Sequence, residues 1–265
     1  MKIGIALGGG AAYGLAHIGV LKVLEKNGII PDMVAGTSVG SLVGGLYASG
    51  CSIEEIEAAA MEFNWMELVN FKLPKDGLVS IDKLENFINK HAKVRDIKET
   101  KKQLAVVAVN LMDSREEVFT EGPLSTLIKA SCSLPGIFTP ALYKNRIYVD
   151  GGVLNNVPSN VVKNMGADIV IAVDVLADSR MDLLKNSNIF TIVWTSWMLA
   201  IQQHIKMTKY YGADIVITPD IIDINPFDVY KRESIIELGV VEAEKEIGRI
   251  QELIKEKSTI IDKIK

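Results

Sequence analysis

The sequence predicts an α/β fold in which a mainly parallel sheet is covered by helices on both faces. Short β-branched runs alternate with longer segments of helical periodicity along most of the chain, the pattern of strands joined by crossover helices. Two glycine-marked turns stand directly after the first two apolar runs. Of the 265 residues, 48% are hydrophobic, enough for one large buried core. Residues 1–265 are expected to form a single domain, with a core to about residue 220 and an amphipathic helical segment over about 232–265.

Taken in order, Lys2–Leu7 reads as the first strand. A secretory leader would also place a lysine before an apolar run, but this run breaks at Gly8-Gly9-Gly10, short of the roughly 7–15 residues a leader core needs. A helix over Gly14–Asn27, a strand at Met33–Ala35 and helices over Val39–Ser49 and Ile53–Glu62 follow. The segment Trp65–Ser80 has aromatic residues without clean periodicity and reads equally as a cap over a pocket or as a packed loop. Beyond it come a helix at Ile81–His91, strands at Gln103–Asn110 and Glu117–Thr120, a helix at Leu124–Ser133 and a strand at Ile147–Val149. Pro158–Met165 is helical, Ile169–Val173 and Ile215–Ile217 are strands, and Ser234–Lys257 is a charged amphipathic helix.

The uncharged runs Ile3–Leu21, Met33–Ile53 and Asn186–Gln203 are long enough to span a bilayer. Glycines and polar residues interrupt the first two, so strand, turn and helix explain them better. The third, with Trp194, Trp197, Met198 and Leu199, reads as a buried helix, with a lid or membrane-touching helix as the alternative. Lys and Arg total 29 against 33 Asp and Glu, a net charge of -4, which gives no electrostatic reason to expect nucleic-acid binding. Cys51 and Cys132 lie among small and apolar residues and read as reduced core thiols, which points to the cytoplasm.

Gly36-Thr37-Ser38-Val39-Gly40 fits G-x-S-x-G between a strand and a helix, where a sharp turn lifts the serine above the sheet edge. Hydrolysis through serine needs donors for an oxyanion, and Gly8-Gly9-Gly10-Ala11-Ala12-Tyr13-Gly14 offers backbone N–H groups at a helix start. The same loop could hold a phosphate, but G-x-G-x-x-G fails in every register and no G-K-[ST] follows. The serine needs a base. His17 sits among Leu15, Ile18, Val20 and Leu21, His91 ends a polar helix, and His204 follows two glutamines; none has the strand-end setting of a catalytic histidine. Asp150, Asp174 and Asp220 all follow strands, and spacing does not rank them. Histidine and cysteine spacing suits no metal, and neither a metal nor another cofactor is expected.

The blocks Leu7–Leu21, Gly36–Gly40 and Asp150-Gly151-Gly152 resemble, in order, the signatures of patatin-like phospholipases. Ala130–Phe138 with Pro140 is similar to the family's block before the aspartate, and Asp150–Pro158 to the continuation after it. The resemblance implies a three-layer α/β/α fold and a Ser38–Asp150 dyad without histidine. It implies oxyanion donors at Gly9, Gly10 and Ala11, joined by Val39, with Gly36, Gly40, Gly151 and Gly152 as supporting positions. The implied reaction is hydrolysis of acyl esters in phospholipids, lysophospholipids or related lipids. Ala11 stands where the family has a third glycine and Tyr13 where it has a basic residue. Alanine keeps its N–H and need not abolish the donor set if its φ is negative.

Three functions compete at this point. The first is a lipid acyl hydrolase with an acyl-serine intermediate, acting on lipid in the cytoplasm with transient contact at a membrane surface. The second is an acyltransferase or simple carboxylesterase using the same dyad. The third is a phosphate-binding regulatory protein in which the serine is inert.

Overall fold

The computed structural model describes residues 1–62, 79–177, 189–208, 210–222, 224 and 231–264. The Trp65–Ser80 cap therefore lies almost wholly outside the described residues. Eight strands form one sheet: β1 (Ile3–Leu7), β2 (Met33–Thr37), β3 (Gln103–Asn110), β4 (Arg115–Phe119), β5 (Ala141–Tyr143), β6 (Arg146–Asp150), β7 (Ile169–Val173) and β8 (Ile215–Ile217). The described helices are α1 (Ala16–Lys26), α2 (Val39–Ser49), α3 (Ile53–Glu62), α4 (Asp82–His91), α5 (Leu124–Ser131), α6 (Ser159–Asn164), α7 (Ile189–Thr208) and α8 (Arg232–Ile264).

The sheet runs β5-β6-β3-β2-β1-β7-β8, with β4 also paired to β3. Its β1, β2, β3, β7 and β8 part is parallel and buried except at Gln103 and Val216, while β4, β5 and β6 join antiparallel. The sheet is thus mixed, with a parallel centre. Strand β5 escaped the sequence reading because three residues carry no period. What makes it is the turn: Lys144 and Asn145 have φ of 46° and 59°, the pair of positive angles that a two-residue hairpin demands.

Helices cover both faces. Leu7 and Val34 lie against Gly44 of α2, whereas Gly4 lies against Val162 of α6. Positions 4 and 7 of one strand differ by an odd number and point to opposite faces, so α2 and α6 flank the sheet. Helix α1 is buried on nearly every side because α8 covers its outer face. The two helices meet backbone to backbone: a β-carbon on Gly19 would overlap the Ile236 carbonyl, and one on Gly239 the Ala16 carbonyl. Among the described residues no helix is long and apolar enough to cross a membrane.

Register at β3 decides where the chain brings its functional groups. β2 pairs with β3 from Gln103 to Val107, and β4 pairs with it from Val106 to Asn110. A strand has two edges, so β4 takes the edge opposite β2. β6 pairs with Ala108–Asn110, where β4 already occupies its own edge. It therefore continues the edge that β2 leaves. The last residue of β2, Thr37, sits opposite Val107, and the last residue of β6, Asp150, sits opposite Ala108. Two chains separated by more than a hundred residues end head to head.

After β1 the chain turns at Gly10 and Ala11 into a short 3-10 turn, Ala11–Leu15, that feeds α1. Ala11 has φ of 50°, so the condition of a negative angle is not met, although the residue keeps its N–H at either sign of φ. The turn needs a left-handed residue there, and alanine supplies it at a cost of about 1 kcal/mol relative to glycine.

Two stability measurements check this packing. Gly239→Val is expected to lower unfolding free energy by about 1–3 kcal/mol in urea titrations, because the α1–α8 contact has no space for a side chain. Ala11→Gly is expected to raise it by about 0.5–1 kcal/mol through relief of the left-handed alanine.

Candidate active site

Ser38 stands between β2 and α2 with φ of 52° and ψ of -128°, a strained conformation for a residue with a β-carbon. Close packing holds it there. A β-carbon on Gly40 would overlap the Leu7 carbonyl, and one on Gly36 would meet the Gly40 carbonyl at 2.5 Å, so both glycines are sterically required. The Ser38 carbonyl accepts the N–H of Ser41 at 2.8 Å and its hydroxyl at 2.6 Å. The Ser38 N–H donates to the Ser131 hydroxyl at 2.8 Å, and that hydroxyl donates to the Val107 carbonyl at 2.6 Å. The turn is tied to β3 through Ser131.

Asp150 is buried, with 1% of its surface exposed, and its carboxylate accepts the Gly152 N–H at 2.8 Å and lies beside Ser38. Burial pushes its pKa up to about 7, against the pull of the Ser38 hydroxyl and the Gly152 N–H. Its own N–H donates to the Ser133 carbonyl at 2.9 Å. The Ser131–Ser133 stretch thus braces both residues, and Cys132 between them sets its buried thiol against Ser38 and Ser41. Burial and the Asp150 charge push that thiol's pKa upward, so it stays protonated. The sequence contained this block but no signal for the role of its side chains.

The glycine loop packs directly on the serine: a β-carbon on Gly9 would lie 3.1 Å from the Ser38 β-carbon and 2.6 Å from Asn156 Oδ1. Gly9 is not the free donor expected of it, because its N–H is donated to the Asn156 carbonyl at 3.1 Å. Asn156 Nδ2 in turn donates to the Gly9 carbonyl at 3.2 Å, so Asn156 holds both backbone groups of Gly9. Among the described residues the N–H groups of Gly10, Ala11 and Val39 have no protein acceptor. Asn156 lay inside a recognised block, but only the fold brings it beside residue 9.

The other titratable groups are occupied elsewhere. His17 is fully buried and donates from Nε2 to the Gly8 carbonyl at 2.8 Å; a carbonyl only accepts, so that nitrogen carries the proton. Burial holds the imidazole neutral, with a pKa near 4. His91 packs its ring on Phe87 at 4.5 Å, and His204 is exposed. Of the rival aspartates, Asp174 accepts from the Leu176 N–H at 2.9 Å and the Tyr210 hydroxyl at 2.8 Å, and Asp220 is exposed. Tyr13 turns inward to donate to the Ile224 carbonyl at 2.5 Å, so no charge stands at that position.

Helix α7 buries Trp194, Met198, Ile201 and Ile205 along one stripe and exposes Ile192, Val193 and Leu199. Trp197 sits against the turn after Asp150, 3.2 Å from where a Gly152 β-carbon would stand. The helix is both core-packed and adjacent to the site.

Residues 5–162, more than half of the chain, match the family model of patatin-like phospholipases. The lysophospholipase NTE1 of Scheffersomyces stipitis is 31% identical over 204 residues, which cover 74% of this chain and 13% of that protein. A patatin-like phospholipase domain-containing protein of Caenorhabditis elegans is 34% identical over 200 residues, 72% of this chain and 15% of the relative. The chain therefore spans about one seventh of the length of these curated relatives. In fold it is similar to VipD of Legionella pneumophila, with a TM-score of 0.56 at 14% identity over 92% of this chain and 66% of that one. The type III effector ExoU superposes with a TM-score of 0.52 at 12% identity over 94% of this chain and 53% of its own. A matching family model that runs across the serine turn, the glycine loop and the Asp150 strand end shows that the chain belongs to the patatin-like phospholipases, a family of carboxylic ester hydrolases.

Proposed function

We propose that this chain hydrolyses acyl esters of phospholipids, lysophospholipids or related lipids, with Ser38 as nucleophile and Asp150 as general base. The observation that carries the reading is a serine on a strained strand-to-helix turn set beside a buried, desolvated carboxylate, Asp150, with the glycine loop packed on it. The names of the relatives, lysophospholipase among them, support the substrate class. Single-domain folding of the chain is part of the same proposal, supported by the α1–α8 contact.

In the first half-reaction Ser38 Oγ bonds to the ester carbonyl carbon while its proton passes to Asp150. The carbonyl oxygen becomes an oxyanion and accepts from the N–H groups of Gly10, Ala11 and Val39, which are already in place before charge develops. Collapse breaks the bond to the leaving oxygen, and the proton on Asp150 goes to it, releasing the alcohol. In the second half-reaction water attacks the acyl-serine, Asp150 takes its proton and returns it to Ser38 Oγ, and the fatty acid departs. A carboxylate of ordinary pKa would be a poor base for a hydroxyl. Desolvation brings Asp150 close to the operating pH, where proton transfer is most effective.

We assign the chain to the cytoplasm, with transient docking on a lipid surface. The exposed Ile192, Val193 and Leu199 of α7, together with Val153 and Leu154 just after the Asp150 turn, give that contact its apolar groups.

Ser38→Ala is expected to abolish both ester hydrolysis and labelling by a fluorophosphonate probe, while Asp150→Asn lowers kcat by two or more orders of magnitude with little change in KM. Wild-type labelling of the purified Ser38→Ala protein would refute the assignment. In the wild type kcat/KM should rise with pH through an apparent pKa near 7, since only ionised Asp150 accepts a proton.

The same shift has a stability consequence. Asp150 ionises near 7 when folded and near 3.8 when not, so between those values the native state keeps a proton that the unfolded chain releases. Its stabilising contribution is whole below about pH 4 and is lost as pH rises to about 7. Urea titrations at pH 8 should find Asp150→Asn more stable than wild type by on the order of 3 kcal/mol.

A further inference from the structure

Asn156 is 2% exposed, and the two ends of its amide have different partners. Nδ2 donates to the Gly9 carbonyl at 3.2 Å. A carbonyl only accepts, so that bond fixes which way the amide is turned and leaves Oδ1 on the other side. There Oδ1 is buried with no donor among the described residues. A buried amide oxygen gives up its hydration, so one kept without a donor points to a group that arrives during the reaction.

The surroundings of Oδ1 indicate which group. A β-carbon on Gly152 would stand 2.9 Å from Asn156 Oδ1 and 3.0 Å from Asp150 Oδ1. One on Gly9 would stand 2.6 Å from Asn156 Oδ1 and 3.1 Å from the Ser38 β-carbon. Each pair of distances shares a point, so Oδ1 lies no more than about 6 Å from Asp150 Oδ1 and from the Ser38 β-carbon, a range in which a water donating both protons spans two acceptors about 4.5 Å apart. Side chains at either glycine would collide with the oxygen, so Gly9 and Gly152 keep it open to the reacting atoms. Trp197 Cζ2, 3.2 Å from the same Gly152 position, adds an apolar wall.

We propose that Asn156 Oδ1 accepts the second proton of the water that hydrolyses the acyl-serine, and so orients that water for attack. The inference rests on the hydrolase reading above and assigns a residue to its second half-reaction. The water oxygen bonds to the acyl carbon while one of its protons passes to Asp150. The other proton stays on oxygen and is donated to Asn156 Oδ1. The bond to Ser38 Oγ then breaks, the proton on Asp150 goes to Oγ, and the fatty acid leaves with the proton that Asn156 held. Acylation offers no second proton, because Ser38 Oγ has only the one it gives to Asp150. An alcohol that replaces water as nucleophile also has only one. Oδ1 therefore separates water from the other nucleophiles at this site. A donor on the leaving alcohol would act in acylation instead, and p-nitrophenyl esters, which carry none, remove that alternative from the measurement.

The test follows p-nitrophenyl butyrate in the presence of methanol: p-nitrophenol release reports acylation, and butyric acid and methyl butyrate are counted separately. Asn156→Leu and Asn156→Ala are compared with wild type and with His17→Leu, which frees the Gly8 carbonyl of the same loop. Both Asn156 variants should lower the acid-to-methyl-ester ratio about tenfold, the factor of one neutral hydrogen bond made in the transition state. Acyl-enzyme should accumulate in them as a burst of p-nitrophenol. Losing the Gly9 contact loosens the oxyanion donors, but these serve both half-reactions and both nucleophiles, so a purely structural role leaves the ratio at its wild-type value. His17→Leu should show that unchanged ratio. The ratio is counted per acyl-serine formed and does not depend on the fraction of protein that folds. A ratio unchanged in both Asn156 variants, or lowered as much in His17→Leu, overturns the inference and leaves the hydrolase reading in place. Folded Asn156 variants that form no acyl-serine overturn it as well, by placing the residue in acylation. If wild type releases no p-nitrophenol and forms no acyl-serine, the hydrolase reading itself fails and this inference with it.

Discussion

The site depends on one constraint, the sharing of a single edge of β3 by the ends of β2 and β6. β2 runs parallel to β3 and β6 antiparallel, so their carboxyl ends point at each other and their terminal residues fall opposite Val107 and Ala108. The space between the two ends is where Ser38 and Asp150 meet. Sheet hydrogen bonding sets that separation on rigid backbone, so no long side chain has to reach across a cleft. A slip of one residue in β6 would turn Asp150 to the other face of the sheet. The tight β5–β6 hairpin, with its positive-φ pair Lys144 and Asn145, acts against such a slip.

Proximity of this kind carries an energetic cost that the surrounding packing must cover. Ser38 sits at positive φ, Ala11 does likewise, and Asp150 is held where its charged form is disfavoured. None would persist on an isolated loop. The parallel centre of the sheet is buried on both faces, and the Ser131–Cys132–Ser133 stretch ties the backbones of both residues to their surroundings. A stable scaffold and a strained site are here parts of one arrangement, in which the burial that disfavours the charged carboxylate also raises its pKa.

Histidine shows how position changes meaning. His17 lies close in sequence to the glycine loop, yet its ring holds the Gly8 carbonyl rather than a reacting proton. Asn156 does comparable work on the next peptide, with its backbone carbonyl taking the Gly9 N–H and its amide holding the Gly9 carbonyl. With the Gly8 carbonyl and both backbone groups of Gly9 engaged, the N–H groups of Gly10 and Ala11 are the ones left without a protein acceptor among the described residues. The loop's donor count is thus set by residues outside it.

Local chemistry was legible in the sequence wherever a short stretch demands one backbone shape. Gly36-Thr37-Ser38-Val39-Gly40 specifies a sharp strand-to-helix turn because neighbouring carbonyls leave no room at Gly36 and Gly40. Alternation of β-branched and helical runs likewise specified a sheet covered on both faces, since each pattern has its own period. Three strand-end aspartates had equal local standing, and sequence periodicity could not separate Asp150 from Asp174 or Asp220. The short strand β5, the left-handed Ala11, the engaged Gly9 N–H and the grip of Asn156 were also invisible, because each arises from contacts between segments far apart in the chain. Residue type and spacing determined which groups could react; the pairing register of β3 decided which of them lie together, since hydrogen bonds between distant strands, not local sequence, set the distance between the Ser38 turn and the Asp150 strand end.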